Sequence, residues 1–250
     1  MPTAQDHQLA ASLARRAGAT LLSLRERLLA EGADPRTIKD EGDRVAHEQL
    51  MAELGTERPQ DSVLSEEARA DERADTSRLG AERVWIVDPL DGTREFGEGR
   101  SDWAVHVALV EAGVPTAGAV ALPGLGLVLD TGAPPALPPA PDPLRVIVSR
   151  SRPPAEALTI AQGLGADLVE MGSAGAKTMA ILRGEADVYP HSGGQYEWDS
   201  AAPVAVAAAA GLHCSRLDGS PLVYNREDPY LPDLLICRRE HAASVLALLD

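Results

Sequence analysis

The sequence has 250 residues, a formal net charge of −15 at pH 7 and a hydrophobic content of 44%. The acidic balance excludes general binding to nucleic acids or anionic membranes, because both require a basic surface, although a bound metal ion would still admit a small phosphorylated molecule. The length allows one compact unit or two closely joined lobes. With no leader segment, no apolar run near the ~20 residues of a membrane span, and two cysteines without metal-site spacing, a cytoplasmic protein with reduced thiols is expected.

Two helices are predicted at the start of the chain. Apolar residues at three-to-four spacing from Leu9 to Leu28 predict an amphipathic helix over residues 4–30. Residues 43–54 predict a second helix with Asp43 at its start, where a carboxylate caps the first turn. Both helices are expected to be core scaffold.

A short predicted strand at residues 62–64 ends in Ser65-Glu66-Glu67, and the charged residues 68–83 predict a surface helix or loop. A glutamate pair after a strand is ordinarily solvated surface. Glu66 comes shortly before the segment that follows, residues 84–96.

That segment begins with the apolar run 84–87, which predicts a buried strand that stops at Asp88-Pro89, since proline has no N–H to pair. Asp88 and Asp91 are three residues apart in a tight loop, so their carboxylates converge, and a divalent cation would relieve their repulsion. Gly92 and Thr93 add backbone N–H groups and a hydroxyl. The loop therefore predicts a site for metal and phosphate.

Three other interpretations of this loop compete with a metal site. An isolated Asp-Gly is more often only a β-turn. An EF-hand counted from Asp88 fails, because Leu90, Gly92 and Thr93 stand at its third, fifth and sixth positions. The aspartyl-phosphate phosphatases place their acids two residues apart rather than three.

Strands are predicted at 103–110, 114–122 and 127–129, with a hairpin turn at Glu111-Ala112-Gly113. The proline-rich residues 131–143 form no packed element and predict a stiff connection. It would join an N-terminal metal-binding lobe, residues 1–140, to a C-terminal substrate lobe, residues 144–250.

The second lobe is predicted to begin with a strand at 144–148 and a helix near 154–163. The segment 169–178 fails as a phosphate-binding P-loop, because Met171 and Ala176 stand where glycines belong. Gly172-Ser173 instead opens a helix whose N-terminal N–H groups favour an anion, with Lys177 either adding charge there or simply exposed.

A strand at 186–189 is predicted next, and Trp198-Asp199 starts an Ala/Val-rich helix with Pro203 in its first turn. Asp199 either caps that helix or ligates a metal. A turn at Asp218-Gly219-Ser220-Pro221, a strand at 234–237 and a helix at 240–249 complete the chain.

The segment 84–96 resembles the signature of the inositol monophosphatase superfamily, which comprises lithium-sensitive, magnesium-dependent phosphomonoesterases. Thr93-Arg94-Glu95-Phe96 is most similar to its CysQ-type 3′(2′),5′-bisphosphate nucleotidases. Residues 198–202 resemble the second signature, Trp-Asp-x-Ala-Ala, and residues 216–225 resemble the nucleotidase segment Asp-Gly-x-Pro-Leu-x-Tyr-Asn. The resemblance covers nearly the whole chain and implies an α+β fold, a layered αβαβα sandwich; the residues alone indicate only mixed α and β structure in two lobes.

The resemblance also implies a site with two Mg²⁺ ions, or three. One ion would be held by Glu66, Asp88 and the Leu90 carbonyl, and a second by Asp88, Asp91 and Asp199. Glu66 and Thr93, with Asp43, would be catalytic and orient the attacking water, although Glu41-Gly42-Asp43-Arg44 departs from the family's Thr-x-Ala-Asp at this point. The implied substrate-binding residues are Asp91, Gly92, Thr93, Arg94, Gly172, Ser173, Gly175, Lys177, Asp199, Arg216 and Tyr224.

The activity implied is hydrolysis of 3′-phosphoadenosine 5′-phosphate to AMP and phosphate, a step that serves sulfate assimilation. Hydrolysis of inositol 1-phosphate or fructose 1,6-bisphosphate is the alternative, and a non-catalytic metal- or nucleotide-binding protein is a further one. A homodimer is the habit of the family. The expected partner is a small phosphorylated molecule, with no nucleic acid polymer and no membrane.

Overall fold

The computed structural model describes residues 1–68, 76–140, 142–151 and 153–249. The α-helices are α1 (Ala4–Ala30), α2 (Pro35–Glu57), α3 (Thr93–Gly97), α4 (Ala155–Leu164), α5 (Ala174–Leu182), α6 (Glu197–Ala209) and α7 (Ala242–Leu246). The strands are β1 (Ser62–Ser65), β2 (Arg83–Asp91), β3 (Ala104–Glu111), β4 (Val114–Leu122), β5 (Leu127–Asp130), β6 (Arg145–Ser149), β7 (Asp167–Met171), β8 (Val188–Tyr196), β9 (His213–Ser215) and β10 (Tyr230–Cys237). Short 3₁₀ helices lie at Ser77–Gly80, Pro123–Leu125 and Arg239–His241.

The elements form five alternating layers. One sheet has the strand order β1-β2-β3-β4-β5 and the other β7-β6-β8-β10-β9. Helices α1 and α2 cover the outer face of the first sheet, α5 and α6 fill the space between the sheets, and α4 and α7 cover the far face of the second. The predicted α+β class and αβαβα sandwich are confirmed.

The central core draws on both halves of the chain. Ile86 and Val120 of the first sheet belong to the same buried cluster as Met179, Trp198 and Ala201 of α5 and α6. Helix α6 packs directly on β2, β3 and β4. The division into two lobes stays a prediction. The described part of the connection 131–143 contains no helix or strand, as predicted.

Helix α2 begins earlier than predicted. Asp34 caps it, accepting hydrogen bonds from the amides of Arg36 and Thr37 at 2.9 and 3.2 Å, with Pro35 in the first turn. Asp43 therefore lies about two turns inside the helix rather than at its start. Gly42 sits there because a Cβ would come within 2.8 Å of the Phe96 ring.

Strand β2 does not stop at Asp88-Pro89, contrary to the prediction. Asp88 pairs with His106 of β3, and pairing resumes with Asp91 opposite Ala104 after a bulge. Pro89 falls inside the bulge, where a missing N–H breaks no ladder bond. The bulge turns both aspartates toward the same side of the strand end.

Other predictions in the second half are also corrected. Strand β8 runs on to Tyr196, because its residues after Tyr189 pair with β10. Pro203 is the seventh residue of α6 and lies inside the helix rather than in its first turn. Strands β1, β3, β4, β5 and β6 and helices α1 and α4 agree with the predicted segments to within about two residues. Strand β10 begins four residues before the predicted start at 234, because its first residues also pair with β8. Strands β7 and β9 were not predicted, and the predicted helix 240–249 is a 3₁₀ turn followed by the short α7.

Of the predicted surface segment 68–83, residues 69–75 lie outside the described ranges. Ser77–Gly80 forms a 3₁₀ turn, and Arg83 already belongs to β2. Among the helices of the described ranges, none has the length and apolar character needed to cross a membrane.

Candidate active site

Three aspartates converge where β2 and α6 meet. Asp88 and Asp91 flank the bulge at the end of β2, and Asp199 lies in the first turn of α6. One carboxylate oxygen from each lies within 4.8 Å of the others. Asp88 and Asp91 are buried, with 1% and 7% of their surface exposed. This cluster is the carboxylate set predicted for the second metal ion.

The cluster is electrostatically costly without a cation. Burial, together with the charges of Glu66 and Asp91, holds the pKa of Asp88 well above its ordinary value. Burial followed by the Asp91 charge raises the pKa of Asp199 to about 7. Buried acids of like charge are stabilised when a divalent ion sits among their oxygens. The donor set consists of hard oxygens, which suits Mg²⁺.

Glu66 joins the cluster from the end of β1. Its carboxyl group is hydrogen-bonded to that of Asp88, and burial raises its pKa to about 7. Its backbone amide donates to the Val87 carbonyl at 3.3 Å, which fixes the glutamate beside β2. The parallel pairing of β1 with β2 thus brings the glutamate to the aspartates.

Thr93 is held between the cluster and α2. Its hydroxyl lies 3.1 Å from the Leu90 carbonyl and 3.5 Å from Oδ1 of Asp43. Burial, followed by the charge of Glu67, raises the pKa of Asp43 to about 7. Gly92, with φ of 88°, permits the tight turn that places Thr93 at the start of α3. The structure therefore brings Asp43, Thr93 and Leu90 together, and the roles that the resemblance implies for them stay predictions.

Asp91 is fixed by contacts from the second half of the chain. Its Oδ2 atom accepts hydrogen bonds from the Ser173 hydroxyl and from the Gly175 amide, the latter at 2.7 Å. Burial alone would raise its pKa, but the charge and proximity of His106, with lesser contributions from Lys177 and Ser173, lower the pKa to about 2. Asp91 is therefore an anion with a fixed orientation.

His106 was not among the residues predicted from the sequence. It is fully buried in β3, with Nε2 3.2 Å from Asp91 Oδ2 and Nδ1 3.1 Å from the Trp198 carbonyl. The contact with Asp91 has the distance of an ion pair, although the ring N–H is not aligned for a hydrogen bond. The sequence could have indicated a special role for His106, because it is the single polar residue within the apolar run 104–110.

The Gly172-Ser173 loop approaches the cluster at the start of α5. Ser173 caps α5 by accepting from the Ala176 amide at 2.9 Å. Lys177 is 5% exposed, and its Nζ atom donates to the carbonyls of Gly172 and Ser173 at 3.2 and 2.8 Å. Of its two sequence-based interpretations, the exposed lysine is wrong. The ammonium group stabilises the loop and lies 5.2 Å above the Tyr189 ring.

Two further residues that the sequence did not single out, Asp102 and Arg150, connect the two halves of the chain near this loop. Asp102 accepts from the Gly172 amide at 2.8 Å, and Arg150 donates to Glu95 at 2.6 Å. A Cβ on Gly172 would lie 2.4 Å from the Glu95 carboxyl carbon, so only glycine allows this approach. These contacts between distant segments leave no local pattern in the sequence.

The remaining predicted substrate residues lie elsewhere or are committed to other contacts. Arg94 is exposed on α3. Arg216 forms an ion pair with Asp233, and its Nε donates at 2.8 Å. Tyr224 is 2% exposed with its hydroxyl 3.1 Å from that of Ser200. A buried, paired hydroxyl and a paired guanidinium do not support substrate contacts for Tyr224 and Arg216.

Comparison with known proteins agrees with this geometry. The sequence matches the model of the "Inositol monophosphatase family" over residues 4–133 and 142–249. A 3′-phosphoadenosine 5′-phosphate phosphatase of Mycobacterium leprae is 51% identical, over 98% of this chain and 93% of its own length. The 3′(2′),5′-bisphosphate nucleotidase CysQ of Escherichia coli K12 is 32% identical, over 88% of this chain and 94% of its own. The crystal structure of CysQ from Bacteroides thetaiotaomicron superposes with a TM-score of 0.76 at 30% identity, covering 94% of this chain and 97% of that one.

Proposed function

The chain belongs to the inositol monophosphatase family, and within it we propose that it is a Mg²⁺-dependent phosphatase that hydrolyses 3′-phosphoadenosine 5′-phosphate to AMP and phosphate. The observation that carries the proposal is the buried convergence of Asp88, Asp91 and Asp199, in a chain half identical to a phosphatase of that name. The substrate is inferred from the similarity to this relative, and the metal-dependent chemistry is inferred from the carboxylates of the site.

Two sets of oxygens would hold the metal ions. Glu66, Asp88 and the Leu90 carbonyl form one set; Asp88, Asp91 and Asp199 form the other. The bound ions would supply positive charge to the phosphoryl group and acidify the attacking water. The raised pKa values of Asp88, Asp199 and Glu66 support this role, since each carboxylate gains its charge most readily beside a cation.

Thr93 and Glu66 would prepare the attacking water. The Thr93 hydroxyl, oriented by Asp43 and the Leu90 carbonyl, can hold the water in line with the phosphorus atom. Glu66 and Asp43 are the nearby groups able to accept its proton, and both have a pKa of about 7 before metal binds. The backbone amides at Gly92 and Thr93, at the start of α3, would face the phosphoryl oxygens. The reaction needs no covalent phospho-enzyme.

The second half of the chain would contribute the anion-binding loop. The first turn of α5 and the Ser173 hydroxyl face Asp91, and Lys177 lies directly beneath the loop. Burial lowers the pKa of Lys177. In its charged form, this side chain would add positive potential to the loop. The homodimer stays a prediction.

The direct test measures phosphate release from 3′-phosphoadenosine 5′-phosphate and from inositol 1-phosphate side by side. Each substrate is assayed with Mg²⁺, with a chelator and with added Li⁺. The expected result is a Mg²⁺-dependent rate that Li⁺ suppresses and that favours the nucleotide. Preference for inositol 1-phosphate would contradict the substrate assignment, and release that persists in chelator would contradict the metal-dependent chemistry.

A further inference from the structure

The chain keeps nearly all of its aromatic side chains inside the fold. It contains one Phe, three Trp and four Tyr. Six of these eight residues are at most 4% exposed: Trp85, Phe96, Trp103, Tyr189, Trp198 and Tyr224. The two exceptions are Tyr196 and Tyr230, which are 41% and 40% exposed. A protein with so few aromatic residues gains stability by burying them, so two exposed rings in contact call for another reason.

The two exposed rings form one continuous aromatic surface with a buried one. The ring of Tyr196 is stacked on that of Trp198, with centroids 4.8 Å apart and planes 11° from parallel. Tyr230 meets Tyr196 edge-on at 5.8 Å and 79°. The two tyrosines are direct partners across β8 and β10, so the sheet sets their spacing. The Gly194 amide, 3.3 Å from the Tyr230 hydroxyl, further fixes that side chain.

This aromatic surface adjoins the carboxylate cluster. Tyr196 immediately precedes α6, and its backbone amide donates to Oδ2 of Asp199 at 2.7 Å. Trp198 covers one face of the Tyr196 ring, so the exposed area belongs to the other face and the ring edge. Gly193 and Gly194, which precede Tyr196 in β8 and both have positive φ, carry no side chains.

We propose that Tyr196, backed by Trp198 and edged by Tyr230, is the stacking platform for the nucleobase of a substrate whose phosphate ester lies at the carboxylate cluster. This inference rests on the proposed phosphatase function. It assigns a binding surface to the nucleobase, the group that distinguishes nucleotides from other phosphate esters. A purine presents a flat π-face to a parallel tyrosine, whereas an inositol or sugar ring presents hydroxyl groups that gain little from it. The negative charge of the neighbouring carboxylate cluster does not weaken binding of the base, because the base is neutral.

The experiment compares two ligands that differ only by the base, AMP and ribose 5-phosphate. Their affinities are measured by calorimetry in Mg²⁺ for the wild-type protein and for Tyr196→Ala, Tyr196→Phe and Tyr230→Ala. Leu158→Ala, an equally exposed apolar residue on the distant α4, is the matched control. Loss of one base-stacking contact weakens nucleic acid ligands by about tenfold or more.

The expected result is a roughly tenfold weaker affinity of Tyr196→Ala for AMP, with its affinity for ribose 5-phosphate changed less than about twofold. Tyr196→Phe, which keeps the ring, and Leu158→Ala should match the wild type, and Tyr230→Ala should give a smaller loss for AMP. The KM for 3′-phosphoadenosine 5′-phosphate should rise with the AMP dissociation constant, while kcat stays near the wild-type value.

Equal losses for both ligands, or no loss for AMP, would overturn the platform, as would failure of the wild type to bind AMP more tightly than ribose 5-phosphate. A wild-type protein that binds AMP through Tyr196 but releases no phosphate would keep the platform and overturn the phosphatase function. If Tyr196→Ala does not fold, Tyr196→Leu keeps a cover on Trp198 without the π-face and decides the same comparison.

Discussion

The Nε2 atom of His106 lies 3.2 Å from Oδ2 of Asp91, while its Nδ1 atom lies 3.1 Å from the Trp198 carbonyl. One imidazole on the central strand of the first sheet thus touches both an aspartate of the β2 bulge and the first turn of α6. Because α6 carries Asp199, the ring sets the separation between two carboxylates of the cluster. The side chain is fully buried, so it has no alternative solvent contact.

Replacing His106 should therefore loosen the metal site. His106→Ala is expected to raise the Mg²⁺ concentration for half-maximal activity by about tenfold, the cost that is typical when a group orienting a metal ligand is lost. His106→Asn, which restores one polar contact, should recover part of the difference. His213→Ala, a histidine whose Nε2 instead lies near Ser215 on an edge strand, should behave as wild type. An unchanged Mg²⁺ requirement in His106→Ala would contradict the role.

Asp88 is shared by both proposed metal-binding sets. Asp88→Asn is expected to lower kcat by about 10³-fold, because it removes the carboxylate that belongs to both proposed sets of metal ligands. The metal-free variant should nevertheless melt no lower than the metal-free wild type, since the change removes a carboxyl group whose charged form is destabilised by burial. Asp167→Asn, an exposed aspartate on the edge strand β7, is the control for activity. Substantial turnover by Asp88→Asn would refute the metal assignment.

The metal-free protein should become less stable as the pH rises. Burial raises the folded-state pKa of Asp43, Glu66 and Asp199 to about 7, against about 4 in an unfolded chain. The folded state therefore binds more protons between about pH 4 and pH 7, and the free energy of unfolding falls as pH increases through that range. Because the pKa of Asp91 is lowered to about 2, this carboxylate affects the free energy of unfolding only below about pH 4.

Thermal melting in chelator should accordingly show a midpoint that drops by several degrees from pH 5 to pH 8. Added Mg²⁺ should remove most of that drop, because it binds the ionised carboxylates of the folded state alone. A melting midpoint that rises with pH in chelator would show that these carboxyl groups are not held protonated in the metal-free fold.

Two glycines offer a matched test of how tightly α5 packs against His106. A Cβ on Gly175 would lie 2.1 Å from His106 Nε2, so Gly175→Ala should destabilise the protein by about 1–3 kcal/mol and reduce activity. Gly55 lies on the exposed side of α2 with no atom near its Cβ position. Gly55→Ala should raise stability by about 0.5–1 kcal/mol and leave activity unchanged. Denaturant titration of both variants distinguishes the outcomes, and equal effects would contradict the packing.

The part of the candidate site on β2 was predictable because Asp88, Asp91 and Thr93 lie within six residues of one another. Asp199 lies about a hundred residues further along, and it was assigned through the resemblance of residues 198–202 to a family signature. The contacts of His106 with Trp198, of Asp102 with Gly172 and of Arg150 with Glu95 were not predictable, since each joins segments more than 50 residues apart. The start of α2 was misplaced because Asp43 is also of a residue type that caps helices, whereas Asp34 caps this helix and Gly42 lies inside it, packed closely on Phe96.

The central layer also determines when the site can exist during synthesis. The inner face of the first sheet, which includes Ile86 and Val120, packs against α5 and α6. The ribosome synthesises these two helices after all the strands of that sheet. Until residue 209 has left the exit tunnel, that apolar face has no cover and Asp88 has no Asp199 beside it. The nascent chain therefore exposes an apolar sheet surface until α6 has been synthesised. During that time the surface is prone to aggregation unless another molecule binds it.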